Sequence, residues 1–171
     1  MSEISRKYLL FEVDEEYALE LDKVLEIIEL CEVTRVPEAP DYVAGIINLR
    51  GNVVPVIDVR KRFRKPAREG VVSRCIVICS IGDNRLGMIV DNVIDLIEID
   101  PENLQDPPQL GSNYIHVFVK NIGLSASEPD RMQLIVDTDK LVNYDDLHYF
   151  DERPGLEKPG IMKPVEQTDP T

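Results

Sequence analysis

The chain has 171 residues and a mass of 19.4 kDa, with 32 Asp+Glu against 19 Lys+Arg, a net charge of -13 and a pI near 4.5. Its 43% hydrophobic content supplies a substantial core and excludes wholesale disorder, and the length suits one ordinary domain or two small barrels. The 36 Val+Ile against 5 Ala point to strands: β-branched side chains are stiff at χ1 and suit a pleated surface, whereas Ala favours helices. The expected fold class is all-β with minor helix. No apolar run approaches the ~18 residues of a membrane span. Met1–Lys7 has no long apolar stretch behind it, so no secretory leader is expected. Cys75 and Cys79 lie in one extended run that holds their Cα atoms about 13 Å apart, too far for a disulfide. With Cys31 they read as reduced thiols of a cytoplasmic protein.

In chain order, Tyr8–Val13 and Tyr17–Leu21 read as a hairpin around the acidic turn Asp14-Glu15-Glu16, and Val24–Cys31 reads as the next strand. Pro37-Glu38-Ala39-Pro40 breaks the chain, and Asp41–Ala44 is expected to form a helical turn. Gly45–Asn52 reads as a strand ending in a Gly-Asn turn. Val53–Val59 returns from it, with Pro55 demanding an edge position or a bulge. Further strands are expected over Arg74–Ile81, Arg85–Val90, Val93–Ile99, Tyr114–Lys120 and Arg131–Asp137, with a Pro-containing loop over Pro101–Gly111. Thr138–Asn143 suits a short helix starting near Thr138 or Asp139. Residues 150–171 hold four prolines, scattered charge and few large apolar side chains, the composition of a flexible tail.

A repeat organises these elements. Shifted by 69 positions, Tyr17–Glu29 lies without gaps on Leu86–Glu98. Asp22, Val24, Ile28 and Glu29 then meet Asp91, Val93, Ile97 and Glu98 as identities, and Leu25/Ile94, Glu26/Asp95 and Ile27/Leu96 are conservative. With ten further positions of offset, Asp58 and Lys61 fall on Asp137 and Lys140, each closing a β run. Duplication of a set of about five strands is the physical reading, and a sheet that small removes its edges most readily by closing. Two related five-stranded barrels packed together are expected.

Catalytic chemistry finds no foothold. Gly45-x5-Gly51 lacks phosphate-loop spacing, and His116 and His148 have no companion at metal spacing. The many carboxylates read as solvated turns, so no catalytic, cofactor or metal site is assigned. Arg60–Arg68 gathers six cations without an acid, and nucleic acid is the partner such a run would take. The surrounding acidity and a single Phe argue against it, and a solvated segment paired with acids elsewhere fits better. Val24–Leu30 is apolar on both strand faces, Val24, Glu26, Ile28 and Leu30 on one and Leu25, Ile27 and Glu29 on the other. In a small barrel only one face lines the core, so the other awaits the opposite barrel or a partner.

The run Gly45-Ile-Ile-Asn-Leu-Arg-Gly51 followed by Pro55-Val-Ile-Asp58 strongly resembles the signature of CheW-type chemotaxis coupling proteins. Glu15–Leu19, Lys23–Ile27, Asp91-Asn92-Val93 and Asp130-Arg131-Met132 match further landmarks of that family. The resemblance covers residues 8–143, read as one domain of two interleaved β-barrel subdomains after a lead of residues 1–7. It implies two SH3-like five-stranded barrels and a non-enzymatic adaptor. Such an adaptor couples the cytoplasmic tips of transmembrane chemoreceptors to the regulatory domain of a CheA-type histidine kinase, packs with other CheW-like domains in rings, and meets the membrane only through receptors. Carried over by motif, Arg50 and Glu26 are the family's paired charges and Val24 faces the receptor. Ile28, Asn48, Leu49 and Gly51 complete the expected partner-binding set. No cofactor is implied. Tyr114-Ile115-His116-Val117 departs from the family pattern, and residues 121–128 read as an insertion. These departures suggest a specialised paralogue, for another receptor class or a pilus-type chemosensory pathway.

Overall fold

A computed structural model describes residues 5–67, 74–108, 115–125, 128 and 130–142. Its strands are β1 (Arg6–Val13), β2 (Glu15–Glu20), β3 (Val24–Glu29), β4 (Val43–Leu49), β5 (Asn52–Asp58), β6 (Cys75–Ile81), β7 (Asn84–Val90), β8 (Asn92–Ile99), β9 (Leu104–Gln105), β10 (Val119–Leu124) and β11 (Met132–Val136). Two one-turn helices, α1 (Val59–Arg62) and α2 (Ile115–Phe118), and three 3-10 turns complete it. The tail 150–171, His148, Asn143 and Arg68 lie outside the described residues.

The strands form two sheets, ordered β3-β6-β7-β5-β4 and β8-β1-β2-β11-β10-β9. The duplication read from the sequence governs both. Antiparallel β3·β6 has its counterpart in β8·β1, and the parallel pair β5·β7 in β11·β2. Even the register shifts agree, at Val43/Gly45 in β4 and at Val119/Asn121 in β10. The hairpins, however, are exchanged. β1–β2 completes the sheet of the second half, and β6–β7 completes the sheet of the first.

Each sheet closes on itself. The chain leaving β3 reaches the far edge, where Thr34 and Ile46 of β4 exchange two N–H···O bonds of 2.9 Å. In the other sheet, β9 follows β8 and pairs with β10 in the same way. The first closure depends on Gly45, at φ +147°, because a Cβ there would lie 2.0 Å from the Thr34 carbonyl oxygen. Pro55 sits inside a sheet without penalty. Its partner Ile46 spends both backbone groups on Thr34, so Pro55 occupies a pair that needs no N–H toward β4.

Exchange of the hairpins produces three cores. Ile76, Ile78, Val54 and Val56 fill the first barrel, and Tyr8, Leu10, Ala18 and Ile135 fill the second. The largest cluster lies between the barrels, with Leu9, Phe11 and Leu19 meeting Val77, Cys79 and Met88. Strands β1 and β6 are thus buried on both faces, which is why they read as continuous apolar runs rather than alternating ones. Burial pushes the Cys79 thiol up to about 12, leaving it an inert packing group.

Four expectations need correction. Asp41–Ala44 is not a helical turn: Asp41 and Tyr42 form a turn and Val43 already opens β4. Ile115–Phe118 is helical although its β-branched residues favour a strand. Tertiary packing decides, since Phe118 is buried with its ring tilted against Phe63 at 5.1 Å, and Phe63 in turn is tilted against Tyr17 at 4.9 Å. Residues 121–124, read as part of an insertion, are strand. Measured against β4–β5, the extra length falls in the connection after Leu124. The turn after β11 is 3-10 over Thr138–Lys140 and is capped by Asp137, as Asp58 caps α1.

The barrels are also joined by charge. Arg60, 6% exposed, donates to both Asp14 oxygens at 2.8 and 3.0 Å and to Asp91, itself 6% exposed. One guanidinium thereby ties α1 to the β1–β2 and β7–β8 turns. Arg60→Ala breaks this buried ion pair by removing one partner, so urea unfolding should show a loss of about 3–5 kcal/mol. A loss below ~1 kcal/mol would mean that the cluster is dispensable.

Candidate functional site

Two sequence features converge at the mouth of the first barrel. The β4–β5 hairpin turns over only Arg50 and Gly51, at φ +52° and +88°. Positive φ at both central positions is the hairpin turn whose twist matches the flanking strands, and Gly supplies the second without strain. The turn is therefore Arg-Gly, with Asn52 already opening β5, one residue earlier than the expected Gly-Asn turn. Asn48 secures it, its Oδ1 accepting the Gly51 N–H at 2.8 Å. Leu49 is 7% exposed and packs into the barrel core, so it anchors the hairpin from inside and offers no surface.

The turn meets β3 because the barrel is closed. β3 and β4 are opposite edges of one sheet, yet Arg50 forks onto both oxygens of Glu26, with Nη1 to Oε2 at 3.0 Å. The Arg50 hydrogen bond holds the Glu26 carboxyl below its ordinary range, and in return Glu26 raises the guanidinium. Arg85 on β7 adds a second positive influence on the same carboxylate. The sequence offered no sign of Arg85, which reaches Glu26 across the sheet rather than along the chain.

Strand β3 carries the rest. Val24, Glu26 and Ile28 are half-buried on the barrel side, Val24 against the shared core and Ile28 against the first barrel. Leu25 and Ile27 point outward at 49% and 45% exposure, so the second barrel does not cover them. The repeat mates Ile94 and Leu96 on β8 are likewise exposed, at 39% and 53%. The 69-residue offset already aligned these pairs, so a second strip was implicit in it.

The basic segment is not a loose loop. Arg64, at φ +60°, ends α1: its N–H bonds the Lys61 carbonyl and the Lys65 N–H bonds that of Arg60. Besides buried Arg60, Arg62 stacks between Tyr42 and Phe118 at 4.3 and 4.9 Å and donates to the Leu141 carbonyl. Lys65 pairs with Glu15. Three of its cations thus serve the barrel junction. Among the described residues no helix is long and apolar enough to cross a membrane.

Comparison with known proteins agrees with this geometry. The family model "CheW-like domain" matches residues 7–146. The chain is 28% identical to chemotaxis protein CheW of Klebsiella aerogenes over 86% of this chain and 88% of that one. It is 32% identical to chemotaxis protein CheW of Rhizobium meliloti over 80% and 86% respectively. The crystal structure of a scaffolding protein, TtCheW of Thermoanaerobacter tengcongensis, superposes with a TM-score of 0.73 at 33% identity, covering 82% of this chain and 95% of that one.

The ion pair makes a direct prediction. In a carbon-detected NMR titration, the Glu26 carboxyl should titrate below the ordinary glutamate range and return to it in Arg50→Ala. The depressed value means that the pair is intact at neutral pH and is lost as pH falls through the Glu26 pKa. An unchanged midpoint in Arg50→Ala would show that the two charges do not interact in solution.

Proposed function

The chain belongs to the CheW-like family, and from that premise we propose that it is a non-enzymatic chemotaxis adaptor coupling the cytoplasmic tips of transmembrane chemoreceptors to the regulatory domain of a CheA-type histidine kinase. Its relatives carry the names of chemotaxis and scaffolding proteins. The supporting observation is the mouth of the first barrel, where exposed Leu25 and Ile27 flank the bidentate Glu26–Arg50 pair. An apolar strip beside an oriented charge pair has the anatomy of a protein-binding surface: burial supplies affinity and the charges select the partner.

The residues divide into two roles on this reading. Arg50, Glu26, Val24 and Ile28 meet the partner or shape the surface that does. Asn48, Leu49 and Gly51 act through the turn, by fixing the direction in which Arg50 leaves the barrel. A two-residue turn pinned at three points loses little freedom on docking, which favours binding. The pair is exposed and adds little to stability, so its value lies in orientation. Placement in the cytoplasm, with contact to the membrane only through receptors, follows from this role.

Nucleic acid is the weaker reading, because Arg60, Arg62 and Lys65 are engaged by the protein's own carboxylates, carbonyl and rings.

Co-sedimentation with receptor-bearing membranes and the kinase tests the proposal. The wild-type chain should join both at micromolar concentration. Arg50→Glu should weaken capture about tenfold or more by setting two carboxylates together, and adding Glu26→Arg should recover part of the loss. Absence of the wild-type chain from both pellets would sink the adaptor role.

A further inference from the structure

The charges at the mouth of the first barrel do not balance. Arg50 spends both terminal nitrogens on the two Glu26 oxygens, which makes a neutral pair. Arg85 stands beside that pair as a third charge. Glu26 lies opposite Ile78 of β6, and Ile78 opposite Gly87 of β7, so the three share one row and one face. Arg85 is two residues from Gly87 and therefore projects on that same face. It is exposed, whereas its neighbour Leu86 is buried in the shared core. The carboxylate it faces, Glu26, is already held by Arg50, and among the described residues no ion pair engages Arg85.

The duplication supplies a comparison. The 69-residue offset sets Arg85 on Glu16, and the registers agree, with Gly87 beside Val56 in β7·β5 and Ala18 beside Ile135 in β2·β11. In the second barrel this position is satisfied within the protein, since Glu16 pairs with Arg131. In the first barrel, two guanidinium groups against one carboxylate leave a local positive charge in a chain of net charge -13.

We infer that Arg85 receives an acidic side chain of the receptor tip, while the Glu26–Arg50 pair beside it fixes the approach. This rests on the adaptor reading and adds to it the chemistry that the mouth selects. Three physical points carry it. A neutral pair orients a partner but exerts little net attraction, so the attraction falls to Arg85. A guanidinium offers a carboxylate a planar fork of donors, the geometry in which the two groups pair most strongly. The acidic surface elsewhere repels an acidic partner, so one local cation beside exposed Leu25 and Ile27 decides where that partner lands.

Association kinetics with a soluble chemoreceptor cytoplasmic fragment test it. At low salt, Arg85→Gln should slow association about threefold and Arg85→Glu about tenfold or more, while Arg85→Lys keeps most of the rate. The differences should close near 1 M NaCl, where charges are screened within ~3 Å. Replacing the acidic residues of the fragment by Lys, one at a time, should reveal one that restores the rate of Arg85→Glu. The urea midpoint of Arg85→Gln should match the wild type, so that a lost rate reports docking. Wild-type association by Arg85→Glu would overturn the inference and leave the adaptor reading standing, whereas a wild-type chain that does not bind the fragment would overturn both. A rate loss that persists at 1 M NaCl would also overturn the inference, because shape and not charge would then be at work.

Discussion

Exchange of hairpins between the two repeats is the constraint on which the rest of the structure depends. β1–β2 closes the barrel of the second half and β6–β7 that of the first, so each hairpin is the wall of one barrel and the floor of the space between them. Neither half can bury its apolar strands without the other. The barrels therefore present their outer strands, β3 and β8, from one rigid frame. Arg60 reinforces the frame where the exchange crosses, bridging the β1–β2 hairpin turn and the β7–β8 turn between the sheets.

The frame decides which side chains are left for interaction. Cations gathered in the sequence near the junction of the repeats are spent on internal work: Arg60 on Asp14 and buried Asp91, Arg62 on two rings and a carbonyl, Lys65 on Glu15. Among the described residues, exposed Leu25 and Ile27 fall on β3 and Ile94 and Leu96 on its mate β8, while Leu30, Val117 and Met132 are exposed elsewhere. The two strips are related by the duplication yet differ in charge, since β3 has the Glu26–Arg50 pair with Arg85 nearby. At the corresponding place in the second barrel, Arg131 pairs with Glu16 and Glu128. A duplicated scaffold thus carries two surfaces of similar shape and different polarity, which allows each to select its own partner.

Much of this was legible in the sequence. The succession of strands along the chain and the repeat follow from sequence pattern, whereas the capping by Asp58 and Asp137, read only as residues closing a β run, came with the structure. The hairpin exchange was not legible, since period-two patterning says which face is apolar but not which sheet receives it. Arg60 read as one of six cations in a solvated segment paired with acids elsewhere; only the folded chain shows that Asp14 and Asp91 are its acids and that it is buried. Ile115–Phe118 read as strand because its residues are β-branched and aromatic, and packing of Phe118 at the barrel junction overrode that preference. The Glu26–Arg50 pair came from the resemblance. No spacing argument places side chains 24 positions apart on opposite sheet edges within hydrogen-bonding distance.

The central claim, that the β3 strip and its charge pair face the receptor, is tested most directly by methyl NMR with a soluble chemoreceptor cytoplasmic fragment. The account predicts saturable shifts of the Leu25 and Ile27 methyls and of the Arg50 side-chain signal, with little change at Ile94 and Leu96. Saturable binding that leaves Leu25, Ile27 and Arg50 unmoved would contradict it.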